Sequence, residues 1–251
     1  MLLHVLGSSS RGNCYLLRSE MSGEVLALEA GVDFKRVLKA LDFQVSSLVG
    51  CLITHEHGDH ARYAADFAAY GVPLIMTQGT ASGIRNTRAA YKAIGSVQKC
   101  RYGQRLQVGG FTILPFHVQH DASEPCGYII RHHECGTVLF ATDTYFLRYK
   151  FSGLNHIMLE CNYDERILEA RRAQGLVSDA QARRIVLSHM SLSTCIDTLL
   201  ANDLSKVKTI TLLHLSDDNS NEEKFIERVS AATGISTTAA KAGVTIQLDK
   251  A

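Results

Sequence analysis

The chain has 251 residues, 46% of them hydrophobic, with three Pro and no low-complexity or strongly charged stretch, which excludes extensive disorder. A formal net charge of +1 excludes a global basic field, so any nucleic-acid contact must rest on a local patch. The seven cysteines (Cys14, Cys51, Cys100, Cys126, Cys135, Cys161, Cys195) never form a Cys-x-x-Cys pair, and no apolar run approaches a membrane span; one soluble, cytoplasmic domain over 1–251 with reduced thiols and no membrane contact is expected.

In chain order, short β-rich apolar runs predict strands over 2–6, 13–18 and 24–29, the last two joined hairpin-fashion at Met21-Ser22-Gly23. The first run is too short for a signal-peptide core and lacks a preceding positive segment. Apolar residues at three- and four-residue intervals predict a helix over 32–41, followed by a strand over 49–53, a helix over 60–70, a strand over 73–77 and a helix over 79–94. Strands follow over 111–118, 127–132, 136–141 and 156–160, with tight joins at Val108-Gly109-Gly110 and Glu134-Cys135-Gly136. Helices over 163–173, 179–187, 192–202 and 221–232 and strands over 207–213 and 243–248 complete the chain. Strands in consecutive groups with helices among them point to packed sheets covered by helices, not to a simple alternating parallel sheet.

Polar density begins where the strand Gly50-Cys51-Leu52-Ile53 stops, in Thr54-His55-Glu56-His57-Gly58-Asp59-His60. Residues two apart in extended backbone share a side, so His55 and His57 can chelate one ion, and Gly58 permits a turn that swings Asp59 and His60 toward a second position. A structural alternative, Asp59 as the cap of the helix beginning near His60, accounts for Asp59 alone. Three histidines and an aspartate in six residues make the metal reading the stronger one. No cysteine lies near enough to complete a zinc-finger pattern, so an open hydrolytic site is expected. Imidazole and carboxylate donors suit two divalent ions, Zn²⁺ first and Mn²⁺ or Fe²⁺ also.

This loop resembles the signature of the metallo-β-lactamase superfamily. Gly7-Ser8-Ser9-Ser10-Arg11-Gly12-Asn13, His120-Asp121-Ala122-Ser123-Glu124-Pro125, Thr142-Asp143-Thr144, Glu160-Cys161-Asn162 and His214-Leu215-Ser216-Asp217-Asp218-Asn219, in that order, resemble its YycJ/WalJ-like subgroup over most of the chain. The resemblance implies an α/β (α+β) fold, a four-layer αβ/βα sandwich with the metals at one edge, and nuclease activity on DNA. It implies that His55, His57 and His120 bind one metal, that Asp59, His60 and His214 bind the other, and that Asp143 bridges them. His120, Asp143 and His214 all follow apolar strands, as strand-end ligands would. His117 precedes His120 by three residues and, in extended backbone, faces the other side; the family pattern favours His120.

His189, in Leu187-Ser188-His189-Met190-Ser191, matches a histidine-serine segment of the subgroup and is a candidate proton donor or phosphate contact; the alternative is a helix-terminal histidine. Glu160 and Asn162 are candidate supports of the ligands or substrate contacts, or only turn residues, while His4, His132, His133 and His156 are assigned to packing or surface. The chain departs from the family at Glu29, where the superfamily usually has an aspartate orienting the metal loop.

Two divalent ions sharing Asp143 can hold a hydroxide between them and polarise the group under attack, with Asp59 or Asp143 orienting the nucleophile, chemistry that suits phosphodiesters. The first expectation is therefore a DNA phosphodiesterase or exonuclease, with Arg85, Arg88 and Lys92, Arg171-Arg172 and Arg183-Arg184 as possible phosphate contacts or simply solvated helix faces. The second is a small-molecule metallohydrolase acting on a cyclic phosphodiester, thioester or lactone, and the third a non-enzymatic binder. No sequence feature fixes the oligomeric state.

Overall fold

A computed structural model describes residues 1–87 and 97–250. Six strands of a first sheet come early: β1 (Leu2–Gly7), β2 (Cys14–Arg18), β3 (Val25–Leu28), β4 (Leu48–Leu52), β5 (Leu74–Thr77) and β6 (Val97–Cys100). A second sheet follows with β7 (Leu106–Val108), β8 (Phe111–His117), β9 (Cys126–His132), β10 (Gly136–Ala141), β11 (His156–Glu160), β12 (Thr209–Leu213) and β13 (Ser236–Ala239). The last strand, β14 (Thr245–Gln247), returns to the edge of the first sheet. The spatial orders are β14-β1-β2-β3-β4-β5-β6 and β13-β12-β11-β10-β9-β8-β7. Each sheet is antiparallel on one side and parallel on the other, β3 to β6 and β10 to β13 being the parallel runs.

Period-two alternation decides the layers. Leu26 and Leu28 of β3 join Tyr128 and Ile130 of β9 and Phe140 of β10 in the core between the sheets. Val25 and Ala27 face the other way, onto Phe34 and Val37 of α1 (Phe34–Ala40), Phe67 of α3 (Ala64–Ala69, after α2, Gly58–Ala61) and Ile84 of α4 (Gln78–Thr87). On the far side, Leu139, Ile157 and Leu212 pack against α7 (Leu192–Leu200) and α8 (Glu222–Thr233), which follow α5 (Glu165–Ala173) and α6 (Asp179–Ser188). Helix, sheet, sheet, helix is the expected four-layer sandwich.

The helices start where side chains can satisfy free backbone N–H groups. Asp33 caps α1, Ser178 forms a capping box with Gln181 on α6, and Asn221 caps α8. The helix expected over 60–70 is instead two, α2 and α3, because the chain bends so that the Tyr63 N–H donates to the Ala30 carbonyl at 2.9 Å. Strands β6, β7 and β13 were not expected: they have three or four residues each, too few to show a hydrophobic period. Arg88 and Lys92 lie outside the described residues. All seven cysteines are buried and unpaired, and among the described residues no helix is long and apolar enough to cross a membrane.

Candidate metal centre

The carboxyl ends of β3, β4, β10, β11 and β12 converge on one edge of the sandwich, and there the chain gathers its histidines. His55 and His57 leave β4, His60 lies in α2, His120 follows β8, Asp143 follows β10 and His214 follows β12 directly. Three of the strand exits turn through left-handed backbone on non-glycine residues, Glu29 (φ 68°), Asp143 (φ 46°) and His214 (φ 53°).

Two donor groups lie side by side, and a third, of Asp143, Glu160, His189 and His214, overlaps the second. Ligand atoms of His55, His57 and His120 lie within 4.8 Å of one another, as do those of Asp59, His60, Asp143 and His214. Asp143 stands between them: its Oδ2 is 3.2 Å from His60 Nε2 and 3.8 Å from the Nε2 atoms of both His55 and His120, and its Oδ1 is 3.1 Å from His214 Nδ1. Asp59 Oδ2 is 3.3 Å from His60 Nε2 and 3.5 Å from His214 Nε2. Asp59 does not cap α2: that helix begins at Gly58, its N-cap is His57, and Asp59 sits in the first turn. His117 is not in the cluster but packs edge-on against Tyr102 at 5.4 Å.

Surrounding groups set the tautomers. His120 Nδ1 donates to the Ser188 carbonyl at 3.0 Å, which leaves Nε2 as the lone-pair nitrogen, 3.1 Å from His57 Nδ1. His55 Nδ1 is 2.9 Å from the Thr54 hydroxyl, while its buried Nε2 has no hydrogen-bond partner; nor does the Nε2 of His214. Buried, unpartnered nitrogens beside carboxylates are what a cation site presents, since unsatisfied buried polar atoms otherwise cost stability. The residues present therefore fit divalent ions.

The electrostatics agree. Burial pushes His55 well below its ordinary pKa, with neighbouring His60 adding to the effect, and burial also lowers His120. For His60 and His214, burial acts in the same direction but carboxylates override it, chiefly Asp143, and both are held well above the ordinary histidine value. Asp143 is correspondingly held well below the usual carboxylate range: burial opposes this, and His214 and His60 overcome it.

Glu160 and Glu29 tie the cluster to the sheets. Glu160, wholly buried, places Oε1 2.7 Å from His189 Nδ1 and 3.4 Å from His214 Nδ1, while Oε2 accepts from the Thr144 N–H at 2.6 Å and the Met190 N–H at 3.3 Å. Glu29 Oε1 is 3.5 Å from His60 Nδ1, and its Oε2 accepts from the Thr54 N–H at 3.3 Å, so the longer side chain still reaches the metal loop. His189 ends α6, partly exposed, with its ring 5.3 Å from that of His214 and 5.8 Å from that of His120. Asn13 and Ser8 were not singled out individually in the sequence: Asn13 Nδ2 lies 3.1 Å from His60 Nε2, and Ser8 Oγ accepts from the His214 N–H at 2.9 Å. Their sequence signal is the polar run Gly7–Asn13 directly after the first strand, which carries part of the family resemblance without marking either residue.

The comparisons with known proteins agree with this geometry. The family described as "Beta-lactamase superfamily domain" matches residues 28–190. The exodeoxyribonuclease WalJ of Streptococcus pneumoniae is 29% identical over 87% of this chain and 83% of its own length, and the exodeoxyribonuclease YycJ of Bacillus anthracis is 28% identical over 87% and 84%. Among solved structures, Zn²⁺-bound PqqB from Methylobacterium extorquens superposes with a TM-score of 0.75 at 14% identity, covering 99% of this chain and 100% of that one. Four layers, a histidine-aspartate cluster at one edge and the family match over most of the sequence lead to one conclusion: the chain belongs to the metallo-β-lactamase superfamily.

Proposed function

We propose that the protein is a two-metal phosphodiesterase that hydrolyses DNA. The observation that carries this reading is the pair of donor clusters meeting at Asp143, with the buried Nε2 atoms of His55 and His214 making no hydrogen bond. His55, His57 and His120 would hold one ion and Asp59, His60 and His214 the other, with Asp143 between; the imidazole-carboxylate set favours Zn²⁺, then Mn²⁺ or Fe²⁺. His60 and His214, kept protonated by their carboxylate neighbours, are the positions whose protons exchange for a cation. Divalent ions bound there supply Lewis-acid charge for the attacked group and make water a competent nucleophile at neutral pH.

The chain's own groups do the rest. Asp59, the more exposed of the two aspartates, orients the attacking water. His189, its Nδ1 fixed by Glu160, has its other ring nitrogen free to protonate the leaving oxygen. A cavity of about 350 Å³ bordered by His189, Arg171, Arg184 and Asn219 opens beside it and suits a phosphate chain. DNA as the substrate is supported by the two exodeoxyribonuclease relatives. The test is a panel of labelled DNA strands and duplexes beside a cyclic phosphodiester, a thioester and a lactone. DNA should be degraded only with divalent metal, with loss on chelation and recovery on adding Zn²⁺ or Mn²⁺. Turnover of a small ester without cleavage of any nucleic acid would refute the reading in favour of a small-molecule hydrolase.

A further inference from the structure

Immediately after Asp143 the chain runs Thr144-Tyr145-Phe146-Leu147-Arg148-Tyr149-Lys150, and three of these rings face solvent: Tyr145 is 40% exposed, Phe146 48% and Tyr149 44%. Three exposed aromatics in five residues run against the burial they ordinarily contribute. They are nevertheless firmly placed. The Thr144 N–H is bound by Glu160, the Thr144 hydroxyl donates to the Phe146 carbonyl at 2.8 Å, and the Tyr145 N–H donates to the Gln119 carbonyl at 3.2 Å, next to His120. Leu147 is buried and pins the segment from below.

Toward the far end of the loop, Tyr149 lies edge-on to Phe116 at 6.0 Å. Phe116 shares a sheet face with Leu114 and Thr112, whose partners in β9 are Ile129 and Arg131. Arg105 and Arg131 border a cavity of about 240 Å³ on that face. A strip thus leaves the metal centre, first aromatic and then cationic, and its span along β8 from Phe116 to Thr112 is about 13 Å at roughly 3.3 Å per residue. Among the described residues none of Arg105, Arg131, Arg148 and Lys150 has an acidic partner, whereas Arg11, Arg172 and Arg228 are paired with aspartates.

We infer that the Tyr145–Lys150 loop is a stacking platform for unpaired nucleobases of a DNA strand entering the metal centre, with the cations beside it tracking the phosphates. This rests on the nuclease reading above and adds to it that bases, and not phosphates alone, are recognised. Exposed rings with Arg148 and Lys150 among and beside them match the π-faces and charges of a single strand, and stacking is indifferent to sequence. A second copy of the chain fits less well, because a two-fold contact would set Arg148 and Lys150 against their own copies.

The chain has no tryptophan, so Phe146→Trp creates a single reporter in the loop. It is titrated, with metal present, with phosphorothioate strands of about twelve nucleotides that either carry bases or are abasic. The base-bearing strand should quench the tryptophan and bind about tenfold more tightly or better, and the abasic strand should do neither. Tyr145→Ala/Phe146→Ala should abolish the preference, measured by anisotropy of a labelled strand, with thermal melting confirming the fold. Equal affinity for the two strands, or a preference surviving in the double variant, overturns the platform; so does a tryptophan already shielded in a dimer and indifferent to the strand. Cleavage of unmodified strands is scored separately. Base-dependent binding without cleavage supports the platform and refutes the nuclease reading, and cleavage with base-independent binding does the reverse.

Discussion

Gly31→Ala should damage both stability and the metal centre, and the reason is a backbone contact. A Cβ built on Gly31 falls 1.7 Å from the Asp59 carbonyl oxygen, 2.5 Å from its carbon and 2.6 Å from the Asn13 nitrogen, all backbone atoms without a side chain's freedom to rotate away. The Asp59 carbonyl would have to retreat by more than about 1 Å to reach even a tight contact. That carbonyl accepts from the Asn13 N–H at 2.7 Å, the Gly31 N–H donates to the Asn13 carbonyl at 2.9 Å, and the Ala30 N–H to the His60 carbonyl at 2.7 Å. Breaking the first bond leaves a donor and an acceptor unpaired at about 1–3 kcal/mol each, so a loss of about 4 kcal/mol is expected. In a chain of this size that lowers the melting temperature by roughly 10 °C.

The same displacement carries Asp59 and His60 with it, and metal distances tolerate only about 0.2 Å, so affinity for one of the two ions should collapse. Urea unfolding and metal titration of the purified variant measure the two effects. Gly153→Ala is the control: nothing lies within 4 Å of its added Cβ, and the left-handed φ of 68° should cost only about 1–2 kcal/mol, with metal binding unchanged. A Gly31→Ala protein within about 1 kcal/mol of the parent and binding both ions normally would refute the reasoning.

Asp59→Ala should abolish metal-dependent turnover while circular dichroism shows the fold retained; unchanged turnover would remove Asp59 from the site. His189→Asn should slow DNA cleavage by about 10²–10⁴-fold yet largely spare a nitrophenyl phosphodiester, whose leaving group needs no proton; an equal loss on both substrates would contradict its role as acid. Away from the site, burial depresses His156 to about 4, its ring held between the Thr209 hydroxyl and the Asp249 carbonyl. It is neutral in the folded chain, so the unfolded chain binds the extra proton, and stability present above pH 6.5 drains away as pH falls toward 4. The loss is at most about 3 kcal/mol, and His156→Gln should flatten this part of a stability-pH curve; an unaltered slope would show that another group governs it.

The fold was legible where hydrophobic period is strong. Buried runs such as Val138 to Ala141 and Ile157 to Leu159 announce themselves, and so does the dense polar loop that ends β4. Three of the four edge strands were not legible, because Val97–Cys100, Leu106–Val108 and Ser236–Ala239 are held by pairing with a neighbouring strand and not by their own pattern, whereas β14 falls within the strand expected over 243–248. Within the site, the gathering of His55, His57, His60, His120, Asp143 and His214 was anticipated through resemblance. Glu160 was named as a candidate support but left open, since a glutamate closing a strand looks the same whether it ends a turn or holds two histidines and two backbone N–H groups. The exposed rings after Asp143 were hidden for the opposite reason, because an aromatic-rich stretch reads as core until the structure shows it outside.

The backbone at Glu29, Asp143 and His214 links fold to chemistry more closely than the donor inventory does. Each takes a left-handed φ within two residues of a strand end, where a non-glycine residue costs about 1 kcal/mol or more. Such conformations persist only where the surroundings over-determine them, and here they do: Glu29 is tied to His60 and the Thr54 N–H, Asp143 to His60 and His214, and His214 by its own N–H to Ser8. Glycine would relieve the strain at any of the three and remove the carboxylate or imidazole that the turn exists to aim. The strained turns thus point side chains from both sheets into one small volume, which extended strand exits would carry apart. Metal affinity in this chain should accordingly depend on the packing of the two sheets against each other as well as on the ligands, and a cavity-forming Phe140→Ala change in the central core should weaken metal binding without touching a donor. Full metal affinity in a Phe140→Ala protein of lowered stability would show the site to be held by its loops alone.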